Sequence, residues 1–281
     1  MAVPARFKHV PRWKPGLIGL VALCLLAACG PRPANPASRE LTVFAASSLT
    51  DAFTALARAF EENFPDTQVT LNFAGSSTLA AQIITGAEVD VFASANFAQI
   101  ETVIDAGLAA GDPVIFARNA LVLVMPASNP GQIIGVDDLA RPGLRLILAA
   151  PGVPIREYTD QVLARLAENP ARGAAFRDRV LANVVSEETN VRQVVAKIAL
   201  GEADAGFAYR SDVTSELGDR LTVLELPPEA QISATYALLP LTTARNPELA
   251  AAFVAFVQSE SGQDILRAWG LSPADEDSAA S

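Results

Sequence analysis

The chain is 281 residues long and 51% hydrophobic, enough to build one large core or two smaller ones. Its formal charge is −10, from 31 acidic and 21 basic residues. A surface of that sign disfavours nucleic acid and anionic lipid headgroups as partners.

Residues 1–28 read as a lipoprotein signal peptide. Arg6, Lys8, Arg12 and Lys14 form a basic start without acids, and the apolar run LIGLVALCLLAAC, 17 to 29, is too short to span a bilayer comfortably. It ends in LAAC, which resembles the bacterial lipobox: small residues precede Cys29 and the loose GPRPANPAS follows. The alternative is a plain signal peptide with a chance cysteine. On the lipoprotein reading, lipid on Cys29 tethers an exported chain to a membrane, facing the periplasm or the cell exterior. Removing the leader takes four of the 21 basic residues and none of the 31 acids, leaving 17 against 31, a formal charge of −14. It also removes His9, the only histidine, and Cys24. The exported part then has no Ser-His-Asp or Cys-His set, no His-liganded metal and no disulfide, so packing alone must hold it.

Residues 29–39 read as a flexible, proline-rich linker and 273–281 as a short, disordered acidic tail. Between them, LTVFAA (41 to 46) is a strand, followed by a helix with Leu49, Ala52, Phe53, Leu56, Ala57 and Phe60 at helical spacing. QVTLNFA (68 to 74) precedes a helix from Ser76 to near Gly86, and DVFASA (90 to 95) precedes one that stops near Gly107. This alternation predicts a mainly parallel sheet covered by helices. FARNA, near 118, reads as a polar break before the fresh strand ALVLVMP (120 to 126), which points to two α/β units rather than one sheet. LRLILAA (144 to 150) is a strand, helices follow at about 155–168 and 171–182, and VRQVVAKIALG (191 to 201) is helical. ADAGFAYR (203 to 210) is a strand with Ala205, Phe207 and Tyr209 on one face. The closing helical stretch, 246 to 270, carries Phe253 and Trp269 as anchors and could pack on either unit.

Ser48 with Asp51 fits a capping box, which is its ordinary role. The same arrangement of strand, small-residue turn, hydroxyls and helix recurs at FAGSSTLAAQI, with Ser76 and Ser77. Pro154 suits the first turn of a helix, and Thr189 or Asn190 can cap the one at Val191. In an open parallel sheet, helices start at the strands' C-terminal edge, so several N-termini can converge on one crevice. Their unpaired N–H groups and positive dipole ends make an anion site that needs no lysine or arginine. Donors alone select a fully deprotonated tetrahedral anion. A protonated phosphate would leave its O–H unpaired, at roughly 1 to 3 kcal/mol.

TVFAASSLTDAF, FAGSSTLAAQI, DVFASAN, GVPIREYT, NVRQVVAKIALGEADAGFAYRSDV and FVQSESGQDILRAWG resemble, in order and spacing, the molybdate-binding proteins of bacterial ABC importers, from about 41 to 271. The resemblance implies a type II periplasmic-binding-protein fold, α/β throughout, with two lobes and a ligand cleft between them. It implies lobe I at 40–118 plus 237–272 and lobe II at 119–236. Carried over, the oxyanion-binding residues are Ser48 and Ser76 through hydroxyl and backbone, Ile155 and Val191 through backbone N–H, and Tyr209 through its phenol. Without the resemblance, Tyr209 is an aromatic packed at a strand end. After VP the family often has glycine second, where this chain has Arg156, which could bring a charge near the cleft.

The function so implied is capture of molybdate, and of tungstate, by a monomeric, lipid-anchored receptor that delivers it to an ABC permease. There is no cofactor, and molybdenum is held only as its oxyanion. A same-fold receptor for sulfate or another anion is the alternative. An enzyme with Ser48 or Ser76 as nucleophile is a further one, with Lys197, the only lysine beyond the leader, or a carboxylate pair as its base.

Overall fold

The computed structural model describes residues 39–275; the expected signal peptide, Cys29, the expected linker up to 38 and the expected tail from 276 lie outside the described residues, while Arg39 already belongs to a strand and Ala274 accepts a hydrogen bond from Arg118. Strand β1 (Arg39–Ala46) buries Leu41, Val43 and Ala45 on alternate positions. It passes through one 3-10 turn, Ser47–Leu49, into α1 (Thr50–Asn63), which buries Ala52, Phe53, Leu56, Ala57 and Phe60 as predicted. Next come β2 (Thr67–Ala74), α2 (Ser76–Ile84), β3 (Val91–Ser94) and α3 (Phe97–Asp105). Gly86 and Gly107, just past α2 and α3, have φ of +102° and +76°, the left-handed region where only glycine carries no steric cost.

The chain continues through β4 (Val114–Pro126), β5 (Leu146–Ala149), α4 (Pro154–Ala167), α5 (Phe176–Leu181), β6 (Val184–Glu188) and α6 (Val191–Ala199). It closes with β7 (Gly206–Tyr209), α7 (Ser215–Gly218), β8 (Leu221–Glu225), β9 (Ser233–Pro240), α8 (Pro247–Gln258) and α9 (Glu260–Ala268).

The main sheet has the order β2-β1-β3-β9-β4-β7, with β8 also paired to β4; β5 and β6 form a second ribbon, linked to the residue before β7 by a Leu146–Ala205 bridge. β1 runs parallel to β2 and β3, and β5 to β6. β9 is antiparallel to both β3 and β4, and β7 and β8 are antiparallel to β4. The expected mainly parallel sheet is therefore mixed. The pattern reading passed over β9, which enters between β3 and β4 in the opposite direction.

The supposed break at FARNA is also corrected. β4 runs through it, with a bulge between Ile115 and Ala117. Its polar residues are tolerated in a strand because they are paired. Arg118 donates to the Thr235 hydroxyl and the Ala274 carbonyl, and Asn119 donates to Ser211 and Tyr236. Long β4 and β9 thus join the β1–β3 layer to the elements that follow β4.

The closing helices pack on α1: the Phe253 ring meets Phe53 and Phe60 edge-on at 6.2 and 5.2 Å. Trp269, expected as an anchor, is 40% exposed, while Leu266 and Leu271 are buried in its place. α5 is shorter than predicted because the turn containing Gly173, φ +75°, occupies its first residues.

Candidate functional site

Four helix starts converge. Ser48 sits in the turn leading to α1, Ser76 is the first residue of α2, Pro154 opens α4 and Val191 opens α6. Proline lacks an N–H, so Ile155 supplies the first donor of α4. Donors in a first helical turn have no partner within their own helix. The Asn190 side chain accepts from Gln193 N–H at 3.1 Å, which makes it, rather than Thr189, the cap of α6. At α2 the cap is Gly75, whose backbone lies so close to Thr189 that an added Cβ would stand 2.3 Å from that carbonyl oxygen.

Together these starts enclose a small cavity, with about 10 Å³ of room for the centre of a water molecule. Ser48, Ser76, Ile155, Val191 and Tyr209, the five residues carried over in the sequence, all line it, with Ser47, Gly75, Ala95 and Pro154 among their neighbours. No lining residue is charged. Such a space suits one small ion and is far below the several hundred Å³ of a drug-sized ligand's pocket. Two larger depressions, about 540 Å³ beside Gln263 and Arg267 and about 260 Å³ around Arg172, gather none of the five. Both are lined by charged side chains, unlike the small cavity.

The hydroxyls at the cavity are not used as helix caps. Ser48 makes no side-chain capping bond, so the predicted capping box is absent; its Oγ lies 2.9 Å from the Tyr236 phenol instead. Ser76 Oγ accepts the Ala95 N–H at 3.1 Å, which leaves its own O–H to donate. Among the described residues Tyr209 Oη is buried without a hydrogen-bond partner, although a buried hydroxyl left unmet costs about 1 to 3 kcal/mol. Burial, and after it the neighbouring Tyr236 and Tyr158, push the Tyr209 phenol well above its ordinary pKa, so it stays a donor.

The charges near the cavity are turned away from it. Arg156 donates to the Ala149 carbonyl and to Glu187 at 2.6 Å, and pairs with Asp160 at 3.3 Å. The charge that its position could bring is thus held outside the lining. Arg192 reaches Asp51 at 2.5 Å and the buried Asp212 at 3.2 Å. Lys197 is held by Glu188 at 2.5 Å and Ser186 at 3.3 Å. Among the described residues no cluster of three or more His, Cys, Asp or Glu could hold a metal ion.

Pattern reading missed Asn119 and Tyr236, which stand behind Ser48. A buried polar residue in an otherwise apolar strand, Asn119 in NALVLVMP, was the available signal.

Comparison with known proteins agrees with this geometry. Residues 41–272 match the family model for bacterial extracellular solute-binding proteins. The molybdate-binding protein ModA of Mycobacterium tuberculosis is 39% identical over 258 residues, covering 89% of this chain and 94% of that one. Two solved structures share the fold. The periplasmic molybdate-binding protein of Azotobacter vinelandii has a TM-score of 0.68 at 23% identity, covering 82% of this chain and 98% of its own. The sulfate-binding protein SubI of Mycobacterium tuberculosis has a TM-score of 0.73 at 21% identity, covering 86% and 89%. The architecture is the type II periplasmic-binding-protein fold, and the chain belongs to the family of bacterial extracellular solute-binding proteins.

Proposed function

We propose that the protein is an extracytoplasmic receptor for molybdate, and also for tungstate, that hands the oxyanion to an ABC permease. The observation that carries this reading is the uncharged cavity where the Ser48, Ser76 and Tyr209 hydroxyls meet the starts of α2, α4 and α6, with the Tyr209 phenol lacking a partner. Tetrahedral oxyanions accept from every direction, which is what such a set of donors requires. The 39% identical ModA, a molybdate-binding protein by name, supports the same ligand. The chain acts as a monomer of two lobes, 40–118 plus 237–272 and 119–236, and is anchored by lipid on Cys29. It uses no cofactor and performs no chemistry on its ligand. Lys197 is engaged by Glu188 rather than by Ser48 or Ser76, which takes the lysine away as a base for a serine nucleophile.

A thermal-shift titration of the fragment beginning after Cys29, with molybdate, tungstate, sulfate and phosphate side by side, tests the reading. A ligand at a hundred times its dissociation constant adds about 2.7 kcal/mol, a rise of roughly 5 to 10 °C for a domain of this size. Molybdate and tungstate are expected to give it, and phosphate is not. Sulfate specificity is the second reading, supported by the fold shared with SubI. A shift with sulfate alone would establish it.

A further inference from the structure

We propose that Asn119 and Tyr236 form a hydrogen-bond relay that fixes the Ser48 hydroxyl as a donor into the cavity and so makes the site reject protonated oxyanions. The proposal rests on the oxyanion-receptor reading and extends it to two residues that do not line the cavity.

Direction is set from the far end. The Asn119 amide nitrogen lies 2.8 Å from Ser211 Oγ and 3.3 Å from Tyr236 Oη, one hydrogen for each acceptor. In this orientation Asn119 Oδ1 is buried without a partner; turning the amide over would aim that oxygen at both hydroxyls and instead leave two N–H hydrogens unmet, the costlier arrangement, since orphaned N–H groups are rarer than under-used carbonyls. Tyr236 therefore accepts from Asn119. Its own O–H still needs an acceptor, and Ser48 Oγ at 2.9 Å is the one placed for it among the described residues. Were Ser48 to donate to Tyr236, the phenol hydrogen would stay buried and unpaired. The phenol is protonated throughout: burial, then the nearby Asp212 carboxylate, raise it well above its ordinary pKa. With Tyr236 donating to one of its two lone pairs, the Ser48 hydrogen has no partner on that side and is left to donate to what sits in the cavity.

Asn119 also steadies the third hydroxyl. Ser211, its other partner, lies two residues past Tyr209 in the turn Arg210–Asp212. The Tyr209 and Tyr236 rings meet edge-on at 5.6 Å, so one amide on β4 ties Tyr236 of β9 to the turn that follows Tyr209. Asn119 and Tyr236 are positioning residues: they act through Ser48 and Tyr209.

The test is titration calorimetry at pH 7.5 with molybdate and with phosphate, on the full chain in mild detergent, for the unsubstituted protein and for Tyr236→Phe, Asn119→Asp and Ser48→Ala. Tyr236→Phe frees the Ser48 lone pair. Molybdate binding is expected to weaken about tenfold while phosphate binding holds or improves, so the preference narrows by about tenfold or more. Asn119→Asp presents only acceptors. Tyr236 then donates to the carboxylate, Ser48 donates to Tyr236, and a lone pair faces the anion. Molybdate should bind more weakly to it than to Ser48→Ala. A purely structural role would weaken both anions alike, and an unchanged molybdate-to-phosphate ratio in a folded Tyr236→Phe protein overturns the relay even if Asn119→Asp fails to fold. If the unsubstituted chain binds no molybdate, the receptor reading fails and takes the relay with it.

Discussion

Ser48, Ser76 and Tyr209 reach the cavity in three different electrostatic states. Ser76 already accepts from Ala95, Ser48 faces Tyr236, and the Tyr209 hydroxyl has no hydrogen-bond partner among the described residues. Tyr209→Phe therefore separates binding from stability. It removes a hydrogen bond to a charged ligand, worth about 1.5 to 3 kcal/mol, so molybdate affinity should fall roughly 10- to 150-fold by calorimetry. The ligand-free protein should unfold no more easily, because the lost hydroxyl was unpaired. A lower melting temperature without ligand would show that Tyr209 has a structural partner. At this scale the sequence was half legible. A strand, a small-residue turn and a hydroxyl before a helix mark Ser48 and Ser76 locally. Tyr236 comes near Ser48 only through the pairing of β9 with β3 and β4, and its register with β4, Ala117 opposite Tyr236, is set by a bulge that no local pattern announces.

At the scale of elements, α6 does the most joining. Its start offers Val191 to the cavity, and its second residue, Arg192, ties Asp51 of α1 to Asp212 of the turn after β7. Capping holds that start in place. Asn190→Ala should cost about 1 kcal/mol, or roughly 2 to 4 °C of melting temperature in a domain of this size. Burial pushes the Asp212 carboxyl up to about 7, although Arg192 and the Tyr209 N–H draw it down. An unfolded aspartate loses its proton near 4. Between about 4 and about 7 only the folded state holds that proton, so this group's contribution to stability is full below pH 4 and lost as pH rises to about 7. The span corresponds to a few kcal/mol. Urea unfolding at pH 5 and pH 7.5 should therefore show a larger loss in the unsubstituted protein than in Asp212→Asn; equal losses would mean the carboxylate is ionised throughout. The elements from β1 to α3 were legible because each apolar run carried its own period. The first half of β4 was not, because polar residues paired across a sheet look the same in sequence as polar residues in a loop.

For the molecule as a whole, the puzzle is an acidic protein read as a receptor for an anion. Repulsion from an acidic surface, of formal charge −10 for the whole chain and −14 on the proposed removal of the four leader cations, is screened within about 8 Å at physiological salt. Contact with fixed neutral donors is not screened in that way. Molybdate affinity should accordingly change by less than about threefold between low and high salt, whereas a site built on lysine or arginine would weaken about tenfold or more. The most direct measurement is anomalous diffraction at the molybdenum edge from crystals grown with molybdate. One peak is expected in the cavity, with the ion's oxygens about 2.7 to 3.2 Å from Ser48 Oγ, Ser76 Oγ, Tyr209 Oη and the N–H groups of Ile155 and Val191. An empty cavity, or a peak only beside surface arginines, would contradict the account.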